Sequence, residues 1–222
     1  MAQGSGVAPR YEKVASPEVH DRLRRAFRSM NRGMVILWRL GLGRWAEAWP
    51  SIGGRVLVVE HHGRKSGNRY LAPLNFSREG TVYLCLAAFG PKADWYRNVM
   101  AARKAVLWLP DGRWLAAFSD VTDEPDARER IRQILVDSGF AARAFGLNPQ
   151  LMTDDEIDEA TAPYRLVQFD PIAPLGGGYA DLAWVWIPAG GAVAAGALAK
   201  LARRRYSRQQ RTRFGTQPCD PS

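Results

Sequence analysis

The sequence predicts an α+β chain, mainly antiparallel β: a small barrel with inserted and N-terminal helices, followed by an apolar C-terminal helix. Three observations predict it. Runs rich in valine and aromatic residues recur at strand length, joined by tight turns such as Glu79-Gly80 and Asp111-Gly112. Helical segments with their own start signals fall between these hairpins without the regular alternation of a βαβ sheet. After Asp170 the composition changes, first to a Pro/Gly stretch, then to an uncharged run, then to a basic tail.

Residues 1–16 are small and polar and are expected to be disordered. Ser16-Pro17-Glu18 is a helix start, with a capping serine, proline in the first turn and an acid beside it. That helix predicts an apolar face of Val19, Leu23, Phe27 and Met30, with Gly33 interrupting it before the more apolar segment Met34 to Leu40.

The strands follow at Arg55–His62, Arg69–Ser77 and Thr81–Ala88. A helix is expected over Asp94–Arg103 with Asp94 as N-cap. A hairpin follows at Ala105–Leu109 and Arg113–Val121. Thr122-Asp123-Glu124-Pro125 is the expected start of a capped helix whose core stripe is Ile131, Ile134 and Leu135. A short helix near Thr153–Ala160 and a last strand, Tyr164–Phe169, complete a domain over residues 17–170.

Residues 171–181 read as a linker, 182–200 as an apolar helix and 201–222 as a basic tail. The uncharged run Leu182 to Ala199 sits at the short end of a bilayer span, with Trp184 and Trp186 at one end and basic residues at the other. It is rich in alanine and glycine and contains Pro188, which weakens its transfer into lipid. Two readings follow: contact with a membrane surface, or a helix docked on protein.

Charge excludes one class. The chain of 222 residues carries a net +9, yet seven basic residues against Asp220 lie from Lys200 onward. The remaining +3 is ordinary for a globular domain, so nucleic acid is not the expected partner. Two cysteines far apart, Cys85 and Cys219, make no disulfide framework and fit a reducing, cytoplasmic location. No signal peptide is read in Met1 to Arg10.

The chemistry concentrates in Val56 to Asn98. Gly63-Arg64-Lys65-Ser66-Gly67 is a glycine-bracketed turn able to converge backbone N–H groups on an anion, with Lys65 as a point charge, Arg64 as a fork and Ser66 as a hydroxyl donor. Arg69 stands close enough in sequence to serve the same phosphate. The alternative is a basic hairpin turn on a solvated surface. His61 and His62 point to opposite faces of a strand and cannot chelate one metal ion together, though one can face a ligand.

Taken in order and spacing, Gly63–Gly67, Pro73-Leu74-Asn75-Phe76, Phe89-Gly90 and Asp94-Trp95-Tyr96-Arg97-Asn98 resemble the deazaflavin-dependent nitroreductase and quinone reductase family. That family is a branch of the flavin-binding split β-barrels that uses coenzyme F420. The resemblance covers about Trp38 to Asp170. It implies a split barrel with the deazaflavin in a groove: Arg64, Lys65, Ser66, Gly67 and Arg69 near the phosphate, backbone around Ala87, Ala88 and Phe89 at the ring, and Trp95, Tyr96 and Asn98 shaping the pocket. The expected activity is hydride transfer from reduced F420 to a hydrophobic acceptor such as a quinone or nitroaromatic.

The family's hydroxyl near the ring has no counterpart at Ala87-Ala88-Phe89, which leaves Tyr96, Tyr164 and bulk water as candidates to protonate the acceptor. No metal is implied. The alternatives are an FMN-binding barrel and a non-enzymatic carrier of cofactor or lipid.

Overall fold

The valine-rich run does form a strand, β1 (Val56–His62), in the computed structural model, which describes residues 29–43, 54–102, 104–186 and 200. The other strands are β2 (Arg69–Glu79), β3 (Val82–Ala87), β4 (Ala105–Leu109), β5 (Gly112–Asp120) and β6 (Arg165–Leu175). They close into a barrel in the order β1-β2-β3-β6-β5-β4, with every neighbouring pair antiparallel. Closure leaves no exposed strand edge, which is how an all-antiparallel sheet avoids a sticky border.

β1 is buried on both faces, and this accounts for a run without polar alternation. Leu57 and Val59 point into the barrel with Phe76, Cys85, Leu107, Val167 and Phe169. Val58 points outward into a second cluster with Trp38 and Trp108. Trp38 comes from α1 (helical residues 29–39), which covers that outer face. Tyr179 stacks on Trp108 with ring centroids 5.6 Å apart, and Asp181 holds Arg39 of α1 through two hydrogen bonds of 2.8 and 2.7 Å.

The remaining helices are α2 (Asp94–Ala101), α3 (Ala127–Asp137), α4 (Phe140–Ala144) and α5 (Asp154–Thr161). Ala127, Ile131, Ile134 and Leu135 of α3 recur at helical spacing and are buried. With Leu84, Leu166 and Ile157 they make a third cluster outside the barrel. Thr153 caps α5 in a full capping box with Glu156.

Several expectations change. Gly33 does not interrupt α1, which runs unbroken through it. Asp94 is the first residue of α2 and not its cap: Ala93 takes that place, and the Asp94 carboxylate pairs instead with Arg97 at 2.9 Å. The helix expected at Thr122 begins at Ala127, because Asp120 captures both the amide and the hydroxyl of Thr122 in a tight turn. Strand β6 continues through Pro171 and Pro174 into the stretch read as a linker. Those prolines are accommodated where a register shift near Leu115 and Ala116 relaxes the ladder.

The chain divides into two units, Met1–Asp181 and Leu182–Ser222. In the second, Ala183–Val185 form a single 3-10 turn. The expected disorder of 1–16, the helix from Pro17 to Arg28, most of the apolar run and the basic tail lie outside the described residues. Among the described residues no helix is long and apolar enough to cross a membrane.

Candidate functional site

The β1–β2 connection is shaped by its own hydrogen bonds. Gly63 N–H donates to Asn68 O and Gly67 N–H to Gly63 O, both at 2.8 Å. Gly67 has φ of +66°, a value that disfavours a side chain, and Asn68 N–H turns back to Ser66 Oγ at 3.3 Å. Arg64, Lys65 and Ser66 are thereby presented on an exposed turn.

That turn is tied to the start of α2. Asn98 is buried, and its Oδ1 accepts from Arg64 N–H at 3.2 Å and from the Arg64 guanidinium at 3.0 Å. Asp94 stands 3.9 Å from the same guanidinium. Asn98 Nδ2 lies 3.4 Å from Nδ1 of His61, which is also buried and stacked on Tyr70. Burial lowers the His61 pKa, with the charge of His62 acting the same way and its own hydrogen bond to the His62 backbone and Asp94 opposing.

Beside α2 opens a cleft of about 800 Å³, within the usual range for a cofactor-sized ligand. Its floor is apolar, from Pro73, Leu74 and Leu86 of the barrel. Ile134, Leu135, Phe145 and Leu147 supply the opposite wall, and Met30 and Asn31 of α1 border it. Lys92, Asp94, Trp95 and Arg97 stand at one rim.

Gly90 makes this arrangement possible. Its φ is +54°, and an added Cβ would come within 1.9 Å of the Pro163 carbonyl oxygen. The chain leaving β3 therefore passes directly against the segment entering β6. Phe89 is thereby set edge-on to Phe145, with centroids 6.2 Å apart.

The expected site residues fall into separate groups. Ala88, Phe89, Trp95 and Tyr164 line the cleft. Ala87 is fully buried at the end of β3, just before it. Arg64, Lys65, Ser66 and Gly67 occupy the neighbouring turn, joined to the cleft rim through Asn98 and Asp94.

Arg69 goes elsewhere. It pairs with Glu60 at 2.8 Å and lies over the Trp108 ring, on the outer sheet face that also carries Arg113. Tyr96 is likewise occupied, donating to Asp120 at 2.5 Å. Burial and that carboxylate push its pKa up to about 12. Burial raises the Tyr164 pKa as well.

Lys92 and Arg97 were not assigned a role from sequence, although Arg97 stands inside the Asp94–Asn98 motif and Lys92 just before it. Nothing in their spacing distinguishes them from solvated helix-start charges. The α3 and α4 wall was equally hidden, since an apolar helix face looks the same lining a cleft or a core. Among the described residues no three His, Cys, Asp or Glu side chains gather as a metal site would.

A family model described as F420H(2)-dependent quinone reductase matches residues 32–152. No curated protein sequence matches the chain. Among solved structures, the heme storage protein HutZ from Vibrio cholerae is 14% identical, covering 62% of this chain and 96% of that one, with a TM-score of 0.39. The F420-H2 dependent reductase FDR-A is 21% identical over 52% of this chain and 93% of that one, at 0.37. A putative pyridoxamine 5'-phosphate oxidase from Listeria innocua is 12% identical over 60% and 94%, also at 0.37.

Proposed function

Since the chain belongs to the F420H(2)-dependent quinone reductase family and is therefore an oxidoreductase that uses coenzyme F420, we propose that the cleft beside α2 holds the deazaflavin ring and that its acceptor is a quinone. The observation that carries this reading is the pairing of an apolar cleft with a cationic rim and turn. A flat ring with an anionic tail needs both, and the residues present fit it. When bound and reduced, the deazaflavin supplies a hydride.

The chain's own contribution is placement and exclusion of water. Arg64, Lys65 and Ser66 offer charge-assisted and hydroxyl donors to the anionic tail, and Lys92 and Arg97 extend that field along the rim. Trp95 at the start of α2 and Phe89 after β3 line the cleft and would bound the ring. Ile134, Leu135 and Leu147 keep water from the opposite side, which suits a hydrophobic acceptor and strengthens nearby electrostatics.

Tyr164 is the hydroxyl placed for the acceptor. It lines the cleft, and burial keeps it protonated at neutral pH, able to donate to oxygen that gains charge during reduction. Tyr96 does not suit this role, because its hydroxyl already donates its hydrogen bond to Asp120.

The test is a fluorescence titration of the full chain with F420, followed by turnover of reduced F420 against menadione and a nitroaromatic. Saturable binding with menadione-dependent oxidation is the expected result. Binding without oxidation by either acceptor sinks the enzyme reading in favour of a carrier. Faster turnover with the nitroaromatic reassigns the acceptor. Tighter binding of FMN than of F420 overturns the cofactor assignment.

A further inference from the structure

His61 lies outside the cleft, yet it is buried at the back of the turn that the preceding reading assigns to the cofactor's anion. We propose that His61 is a positioning residue for cofactor binding: by accepting a hydrogen bond from Asn98 it sets the amide that holds Arg64 and its turn against α2. The inference rests on the reading of that turn as the anion clamp.

The donor and acceptor count determines the direction of the amide. An asparagine side chain has one carbonyl oxygen and one NH₂ group. Asn98 Oδ1 accepts twice from Arg64, from the backbone N–H at 3.2 Å and from Nη1 at 3.0 Å. The Asn98 NH₂ must therefore face away from Arg64. At 6% exposure it needs a partner there, and His61 Nδ1 stands 3.4 Å away.

Reversing the amide would set NH₂ against two further donors. His61 prevents this only as a neutral ring with its proton on Nε2, free to accept at Nδ1. Tyr70, parallel to the imidazole within 24°, keeps the ring plane in place.

Protonated His61 would turn its acceptor into a donor and push the amide toward release of Arg64. The groups around the ring are His62 on β1, Tyr70 on β2, Asp94 on α2 and, through Asn98, Arg64 on the turn. Burial favours the neutral form. The clamp is therefore complete above the titration of His61 and is lost as pH falls through it. A direct effect of the imidazolium on an anionic ligand would have the opposite sign, tightening binding in acid.

The probe is oxidised F420, titrated by fluorescence into the full chain carrying His61→Ala, His61→Gln or Asn98→Leu, each with and without Arg64→Ala. Loss of one hydrogen bond predicts about fivefold weaker binding for His61→Ala. In the Arg64→Ala background the same change should weaken binding by less than about 1.5-fold, because the effect passes through Arg64.

Because burial lowers the His61 pKa, wild-type affinity should hold at neutral pH and fall only as pH drops below about 6.5, the ordinary histidine value, and His61→Gln should flatten the profile. The KM for reduced F420 should rise several times more than kcat falls. A mere structural role for His61 would lower the melting temperature and leave the pH profile of affinity untouched.

An undiminished His61→Ala effect in the Arg64→Ala background overturns the proposal, as does tighter wild-type binding in acid. His61→Gln and Asn98→Leu carry the same test if His61→Ala fails to fold. Wild-type protein that does not bind F420 at all refutes the underlying assignment of the turn instead, which separates the two failures.

Discussion

The Arg69 guanidinium donates to Glu60 Oε2 at 2.8 Å, on the outer face of the sheet. Glu60 is 7% exposed and also accepts from Trp108 Nε1 at 2.8 Å and from Arg113 at 3.1 Å. Burial opposes the charge on Glu60, but Arg69, Trp108 and Arg113 together hold its carboxyl below the usual carboxylate range. Truncation leaves these donors facing each other, so Glu60→Ala should cost roughly 3 kcal/mol in urea unfolding. A depressed folded-state pKa contributes stability that is present above the unfolded value and lost as pH falls through the folded one. The wild type should accordingly lose part of its stability in acid below about pH 4.3, and Glu60→Gln should lose less. Equal pH slopes for the two proteins would exclude Glu60 as the cause.

Because Arg69 is committed to Glu60, Arg69→Ala should leave F420 affinity within about twofold, whereas Arg64→Ala should weaken it roughly tenfold, the size of a lost charge-assisted contact. Equilibrium titration of both variants decides between them. Equal losses would return Arg69 to the phosphate site.

Lys92 stands exposed at the cleft rim, and Arg97 beside it is shared with Asp94. Lys92→Ala should weaken F420 binding by about fivefold at low salt. The loss should shrink as ionic strength rises, since an exposed charge acts through screened solvent. The same titration at two salt concentrations reads both effects, and a salt-independent loss would point to packing instead of charge.

Tyr164 and Tyr96 should separate in kinetics. Tyr164→Phe is expected to lower kcat with menadione by about tenfold or more, the scale of a lost proton donor. Tyr96→Phe should change kcat little and cost about 1 kcal/mol of stability through its hydrogen bond to Asp120. Steady-state rates and thermal melts on both proteins check this, and a larger kcat effect from Tyr96→Phe would reverse the assignment.

Gly90→Ala should be severe, because Gly90 is buried where the chain leaves β3. It combines a positive φ with a methyl group directed at the Pro163 carbonyl. A cost of at least about 2 kcal/mol is expected from these two effects. The melting temperature measures it directly, and F420 affinity should fall with it because the same turn sets Phe89 and Lys92 at the cleft.

The barrel was legible because its signals are local. Strand runs, Asp-Gly and Glu-Gly turns and the Thr153 box each act within a few residues, and β1 to β6 appear where those signals stand. The cap at Asp94 and the helix start at Thr122 were misread for one reason. Each polar side chain has a competing partner, Arg97 for Asp94 and Asp120 for Thr122, and sequence alone does not rank such partners. Gly33 failed as a breaker because one glycine costs only about 1 kcal/mol in a helix, less than the burial of Trp38 in the same helix returns.

By itself the sequence determined the strand pattern, the order of the anion turn and of the helix-start residues, and the kind of cofactor their resemblance implies. Those features follow from short-range backbone chemistry and from residue types at set spacing. Only the tertiary structure decided which cations share a face. Barrel closure sends Arg69 outward to Glu60, while Asn98 draws Arg64 inward to α2, although the two arginines are five positions apart in one hairpin. Neighbouring strand residues point to opposite faces of a sheet. What lies on each face depends on strands and helices distant in sequence, and so does the role of each charge.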